Sequence, residues 1–266
     1  MKAWVDNLKV RPWTVLTFTE KTLKYLDVDG KRVTEPFKFL IGISWIGEIQ
    51  VELIEPVYGP MIYEAFIQKY PQSRYNAAVY SNLVKLYVAG NDIQKMQDAG
   101  EKAIALAPTD VQTLAILGQT LPRAWNANMP NAAVQLDKAE KYSKSAIELT
   151  PTIPKPDGMT DEQFTFAKNQ TLAMAHSGLG LVYFRRGKYD EAIPEFEAST
   201  KVDPNPEADP VTFYVLAISD EKTSHFDAAV AAFVKCSTIP GSLQPTCKSG
   251  AEEAKKLGST QLSAPK

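Results

Sequence analysis

The residues able to do chemistry in this chain are few. Two histidines and two cysteines are present. No GxGxxG or GxxxxGK[ST] loop is present to cradle a phosphate, and no His/Cys cluster has metal-ligand spacing. His176 and His225 lack a nucleophile and an acid at a recognisable distance along the chain. The sequence therefore predicts no catalytic residue and no cofactor. His176 is expected to pack between helices, and His225 to sit exposed in a turn. In the run Tyr189-Asp190-Glu191 the two carboxylates fall in the first turn of a predicted helix, where negative charge complements the dipole. Cys236 and Cys247 leave two readings open. One is a buried small residue plus a free thiol. The other is a disulfide, which would require an oxidising compartment.

What the chain does offer is periodicity. Between Ala175 and Pro210, Ala175, Leu179, Val182 and Tyr183 share one helical face. Ala192, Phe196 and Ser199 share another. Gly187 separates the two where a turn favours positive φ. Asp203-Pro204 closes the second helix, because the residue before a proline is pushed out of the α region. Gly180 and Ala192 are small where two helices must approach closely. So short a pair cannot bury its own apolar faces and needs neighbours of the same kind.

Such neighbours are present. From an origin at Ala173, Leu179, Gly180, Tyr183, Ala192, Phe196, Ser199 and Pro204 stand at positions 7, 8, 11, 20, 24, 27 and 32. This resembles the tetratricopeptide repeat. A copy from Pro210 carries Leu216, Ala217, Ala229, Phe233 and Cys236. A copy from Ala77 carries Leu83, Tyr87, Ala103 and Pro108, but Met96 and Gly100 depart from the pattern. A broken copy carries Leu117-Gly118, then Ala139, Ser143, Ala146 and Pro151, with a longer loop around PRAWNANMPN between its halves. The resemblance implies a helical solenoid over residues 75–250 whose first helices line a groove. It places Ser81, Lys85 and Val88 in that groove from the first copy. Met174, Ser177, Leu181, Phe184 and Arg185 come from the third, and Val211, Tyr214, Ile218, Glu221 and Lys222 from the fourth. The lysine/asparagine clamp used for a terminal carboxylate is missing.

Before Pro60 the helical period gives way to β-rich runs. Strands are predicted at Trp13–Thr19, Leu23–Val28, Lys31–Thr34, Phe37–Ile46 and Ile49–Ile54, with a hairpin at Asp29-Gly30. Pro56 is expected to end the sheet, and Met61–Tyr70 to be helical. RPWTVLTF, the DGK hairpin and IGEIQVELIEPVYGPMIYEAFIQK resemble part of the vicinal oxygen chelate superfamily over residues 8–69. That resemblance implies half of a βαβββ-type sheet, with Glu52 at the position of one metal ligand. The other ligands have no counterpart, so no metal site is expected.

The predicted fold class is thus α+β, an all-α repeat solenoid preceded by a small β-rich fragment. Residues 1–70 and 71–258 are expected as two domains, with insertions near 122–131 and 151–165 and a frayed tail over 259–266. Thr160 and Gln163 form a capping box opening a helix from about Asp161 to Tyr183. A net charge of −2, with 29 basic and 31 acidic residues, gives no reason to expect nucleic acid. No apolar run reaches the roughly 18 residues of a membrane span. MKAWVDNLKV lacks the apolar core of an export signal, so cytoplasmic placement is expected, or periplasmic placement if the native N-terminus differs. The function expected is a non-catalytic scaffold holding a peptide or protein in the groove. One alternative is a metal-dependent enzyme of the vicinal oxygen chelate type completed by a partner chain. The other is an assembly protein that self-associates through its sheet edge.

Overall fold

The computed structural model describes residues 14–19, 21–24, 26–28, 31–34, 38–46, 49–58, 61–205 and 209–263. The chain is α+β, with antiparallel strands preceding helical repeat pairs. It divides into two compact units, 1–106 and 107–266.

The first unit opens with strand β1 (Thr14–Thr19) and a two-residue pair, β2 (Asp27–Val28) with β3 (Lys31–Arg32). Strands β4 (Lys38–Ile46) and β5 (Ile49–Tyr58) follow. β1, β4 and β5 form an antiparallel sheet in that order. Phe18 lies opposite Phe39, and their rings stack 5.3 Å apart. The strand pair around Asp29-Gly30 forms as predicted, while the two turn residues lie outside the described set. Leu23 to Val28 is not a full strand, since only Asp27 and Val28 pair. Pro56 does not end the sheet. β5 runs on to Tyr58, and the register shifts beside Phe39, the residue facing Pro56. An edge strand tolerates a residue that cannot donate a ladder bond.

Helices α1 (Met61–Lys69), α2 (Asn76–Ala89) and α3 (Ile93–Leu106) complete this unit. α2 and α3 pack together through Leu83, Val84, Met96 and Ala103, all buried. Met96 stands where the repeat pattern expects a small residue, and the pair nonetheless closes over it completely.

The second unit contains α4 (Val111–Ala124), α5 (Ala132–Leu149), a short 3-10 turn at Thr150–Thr152, and α6 (Asp161–Arg185). It continues with α7 (Tyr189–Val202), α8 (Pro210–Lys222), α9 (Phe226–Thr238) and α10 (Gln244–Ser263). Consecutive helices pack as pairs, and α4 packs on α6. The capping box at Thr160 and Gln163 is present, with both reciprocal hydrogen bonds. α6 runs two residues past its predicted end. Gly187 adopts φ +73° in the turn that follows.

The repeat positions form the core. Leu179, Ala192, Phe196, Leu216, Ala217, Ala229 and Phe233 are buried. Full burial of a side chain such as Phe196 contributes roughly 1.5–3 kcal/mol. Gly178, outside the repeat pattern, lets the backbones meet: a Cβ there would sit 2.6 Å from the carbonyl of Gly118. Cys236 and Cys247 are joined in a disulfide between α9 and α10. The second of the two cysteine readings therefore holds. α10 closes the end of the stack, with Gly250 against the Phe233 ring. Residues 259–263, expected as a frayed tail, continue this helix.

Candidate functional site

The residues predicted to line a groove fall into three groups. Ser81, Lys85 and Val88 lie on α2 in the first unit. Lys85 and Val88 are exposed, and Ser81 hydrogen-bonds back to the Ala77 carbonyl of its own helix. The other two groups lie on α6 and α8 of the second unit.

On α6, Met174 and Phe184 are half-buried and Arg185 is exposed. Ser177 and Leu181 are interior, which corrects their assignment to a ligand-facing surface. The physical reason is the close approach of neighbouring helices. Ser177 Oγ shares a 2.8 Å hydrogen bond with Thr212 Oγ1 on α8, and Leu181 belongs to the central apolar cluster. On α8, Val211, Tyr214, Ile218 and Glu221 are half-buried and Lys222 is exposed. The Tyr214 ring stands edge-on to Phe233, 6.1 Å away.

Arg185 is held against the last turn of α4 and the residue that follows it. Its Nε donates to the Pro122 carbonyl at 3.1 Å, and its guanidinium lies 5.9 Å from the Trp125 ring. Trp125 Nε1 in turn donates to the Ala132 carbonyl at 2.9 Å. The insertion near 122–131 is thus tied down from both sides. Neighbouring Arg186 pairs with Asp137 and Glu140 on α5. A hydrogen bond from Lys144 holds Glu140 below the usual carboxylate range, reinforced by Arg186 and partly offset by burial.

Sequence reasoning missed a polar hollow of about 200 Å³ in the second unit. α4 contributes Gln119 and Arg123, and α6 contributes Gln170 and Met174. The turn between α7 and α8 contributes Asp203, Asn205 and Asp209. Arg123 pairs with Asp209, which also caps α8 by accepting from the Val211 N–H at 3.1 Å and Thr212 Oγ1 at 3.0 Å. Asp203 Oδ1 accepts from the Asn205 backbone N–H at 3.0 Å and from Asn205 Nδ2 at 2.7 Å. The only sequence signal available was Asp209-Pro210, a cap followed by the favoured first helical residue.

Among the described residues, neither histidine builds a site with a nucleophile. His176, expected to pack between helices, lies half-buried between α6 and α7 and makes a 2.7 Å hydrogen bond to Glu195 on α7. His225 is exposed as expected and lies 3.8 Å from Asp220, whose own side chain is only 6% exposed. Burial pushes the Asp220 carboxyl up to about 6, helped by Glu197 and opposed by His225. Among the described residues no three of His, Cys, Asp and Glu gather where they could hold a metal. β5 places Glu52 opposite Ile43, and its side chain lies outside the described residues.

Comparison with known proteins finds one family match, in the helical half. Residues 173–206 match the tetratricopeptide repeat family, so the later part of α6 together with α7 is such a repeat. Similar solved structures include a thermophilic TPR protein of Thermus thermophilus, at 16% identity and TM-score 0.48, with 74% of this chain and 89% of that chain covered. The MamA protein shows 19% identity and TM-score 0.44, with coverage of 71% and 91%. Yeast Tom70 shows 16% identity and TM-score 0.49, with coverage of 77% and 39%. No curated protein matches the sequence. The vicinal oxygen chelate resemblance of residues 8–69 finds no support in these comparisons, and neither does the enzyme alternative built on it.

Proposed function

We propose that this chain is a non-catalytic protein-interaction scaffold whose second unit holds a protein segment along α6 and α8. The observation that carries this reading is a row of half-buried apolar side chains on first helices of successive pairs: Met174 on α6, then Val211, Tyr214 and Ile218 on α8. Each is partly covered and partly accessible. Such a surface suits an extended or helical segment read through a few apolar anchors. Charged Glu221 and Lys222 lie at the end of the same row.

The test is selection of binding peptides by the full chain from a displayed library, repeated with Val211→Glu/Lys222→Glu. The scaffold reading predicts selected sequences whose binding the double variant abolishes at unchanged melting temperature. Peptides that bind both proteins equally would overturn it. Phe184 and Tyr214 are poorer choices, because both also pack against the core.

The Cys236–Cys247 disulfide supports work in an oxidising compartment rather than the cytoplasm first expected. Among the described residues no helix is long and apolar enough to cross a membrane. Thiol labelling of protein taken from its native cells, before and after reduction, would decide the compartment: labelling without reduction contradicts it.

A second reading, self-association through the sheet, is favoured by β5, a ten-residue edge strand. Among the described residues no strand pairs with its outer side, and an edge of that length invites pairing with another copy. A sedimentation coefficient constant over a wide concentration range would exclude it.

A further inference from the structure

We infer that the hollow between α4, α6 and the α7–α8 turn is a subsite for a lysine-type cationic side chain of the segment bound by the second unit; this rests on the groove reading above. The charges decide the class of occupant. Among the described residues, Arg123 is the one cation lining the hollow, and its charge is taken up by Asp209. Asp209 is further committed to capping α8. Asp203 is the remaining carboxylate, and both of its hydrogen bonds from Asn205 fall on Oδ1. Among the described residues nothing donates to its Oδ2, so the described lining carries one unmatched negative charge.

The neutral groups point the same way. Gln119 and Gln170 border the space with amide oxygens that have no partner among the described residues, so each can accept from an ammonium group. Met174 supplies an apolar, adaptable wall for the methylene stem that carries such a group. A carboxylate-bearing side chain would meet Asp203 head-on. A purely apolar one would leave Asp203 and the amides without donors. The floor is pre-set, since Ser199 donates to the Ala173 carbonyl at 2.8 Å and Thr212 is held by Ser177. The volume of about 200 Å³ admits one side chain and little else.

The experiment uses the full chain, labelled with carbon-13 at the methionine methyls and titrated with N-acetyl-lysine methylamide. Matching norleucine and glutamate compounds serve as controls. The Met174 signal, assigned by its loss in Met174→Leu, should shift saturably with the lysine probe and not with either control. Asp203→Asn should weaken the lysine probe about fivefold, the order of one partly solvated ion pair. Gln170→Leu, on an exposed side chain, should weaken it as well and decides the matter if Asp203→Asn lowers the melting temperature. An unmoved Met174 signal, an equal response to norleucine, or wild-type affinity in both variants would overturn the subsite. If peptide binding sensitive to Val211→Glu/Lys222→Glu survives that result, the groove stands without the subsite. A lysine probe seated at Met174 in a chain that selects no peptides would remove the groove reading instead.

Discussion

At the scale of single residues, Asp220 makes the sharpest forecast. It sits near the end of α8, buried, with the His225 ring 3.8 Å away and Glu197 of α7 adding repulsion. Its carboxyl is raised from 3.8 to about 6 in the folded chain. The folded state therefore binds more protons than the unfolded state between those values. Stability from this group is fully present below about pH 4, declines as pH rises through about 6, and then levels off. Asp220→Asn should remove that decline and raise stability at pH 8 by up to about 3 kcal/mol. Chemical denaturation of both proteins at pH 4 and pH 8 measures it; a variant less stable than wild type at pH 8 contradicts the assignment. This residue was invisible in the sequence. A carboxylate at the end of a helix reads as solvated until the fold shows that α7 and the turn before α9 close over it.

At the scale of elements, two contacts hold neighbouring helices in place. Gly178→Ala would drive a methyl into the Gly118 backbone, 2.6 Å away, so α4 and α6 would have to separate. A loss of about 1–3 kcal/mol is expected by thermal or urea unfolding, the usual cost of overpacking. Breaking the disulfide with Cys236→Ser/Cys247→Ser releases an eleven-residue link between α9 and α10 and should cost about 3 kcal/mol. Unchanged unfolding midpoints would show that each contact is dispensable. Much at this scale was legible. Leu179, Ala192 and Phe196 announce their pair because each must meet a fixed partner on the facing helix, so residue type and spacing recur together. Thr160 and Gln163 announce a helix start because capping is local. Pro56 misled, since a proline stops a central strand but not an edge one, and sequence does not tell which strand is the edge. The end of α10 misled too. Its polar composition reads as a frayed tail, yet Gly250 and Cys247 anchor the helix to α9.

At the scale of the whole molecule, the chain separates after Leu106, which places α2 and α3 with the strands rather than with the later pairs. The boundary proposed near residue 70 lies inside the first unit. A fragment of residues 107–266 should fold cooperatively by itself, because its core cluster draws only on its own helices. Circular dichroism with a single sharp melt would agree, and a fragment without helical signal would not. The hollow at Arg123 and Asp209 explains why function was less legible than fold. Its walls come from residues 86 apart in sequence, brought together only when α4, α6 and α8 stack. Interior Ser177 and Leu181 show the same limit from the other side. Position in a repeat tells which helix carries a residue, and packing of the next pair decides whether it faces a ligand. The claim on which the rest depends is that α6 and α8 present a surface occupied by another protein. A photo-crosslinking residue placed at Val211 of the full chain in its native cells, compared with one at exposed Val234 on α9, tests this most directly. A discrete protein adduct is predicted from position 211 and none from 234. Adducts from 234 alone, or equally from both positions, would contradict it.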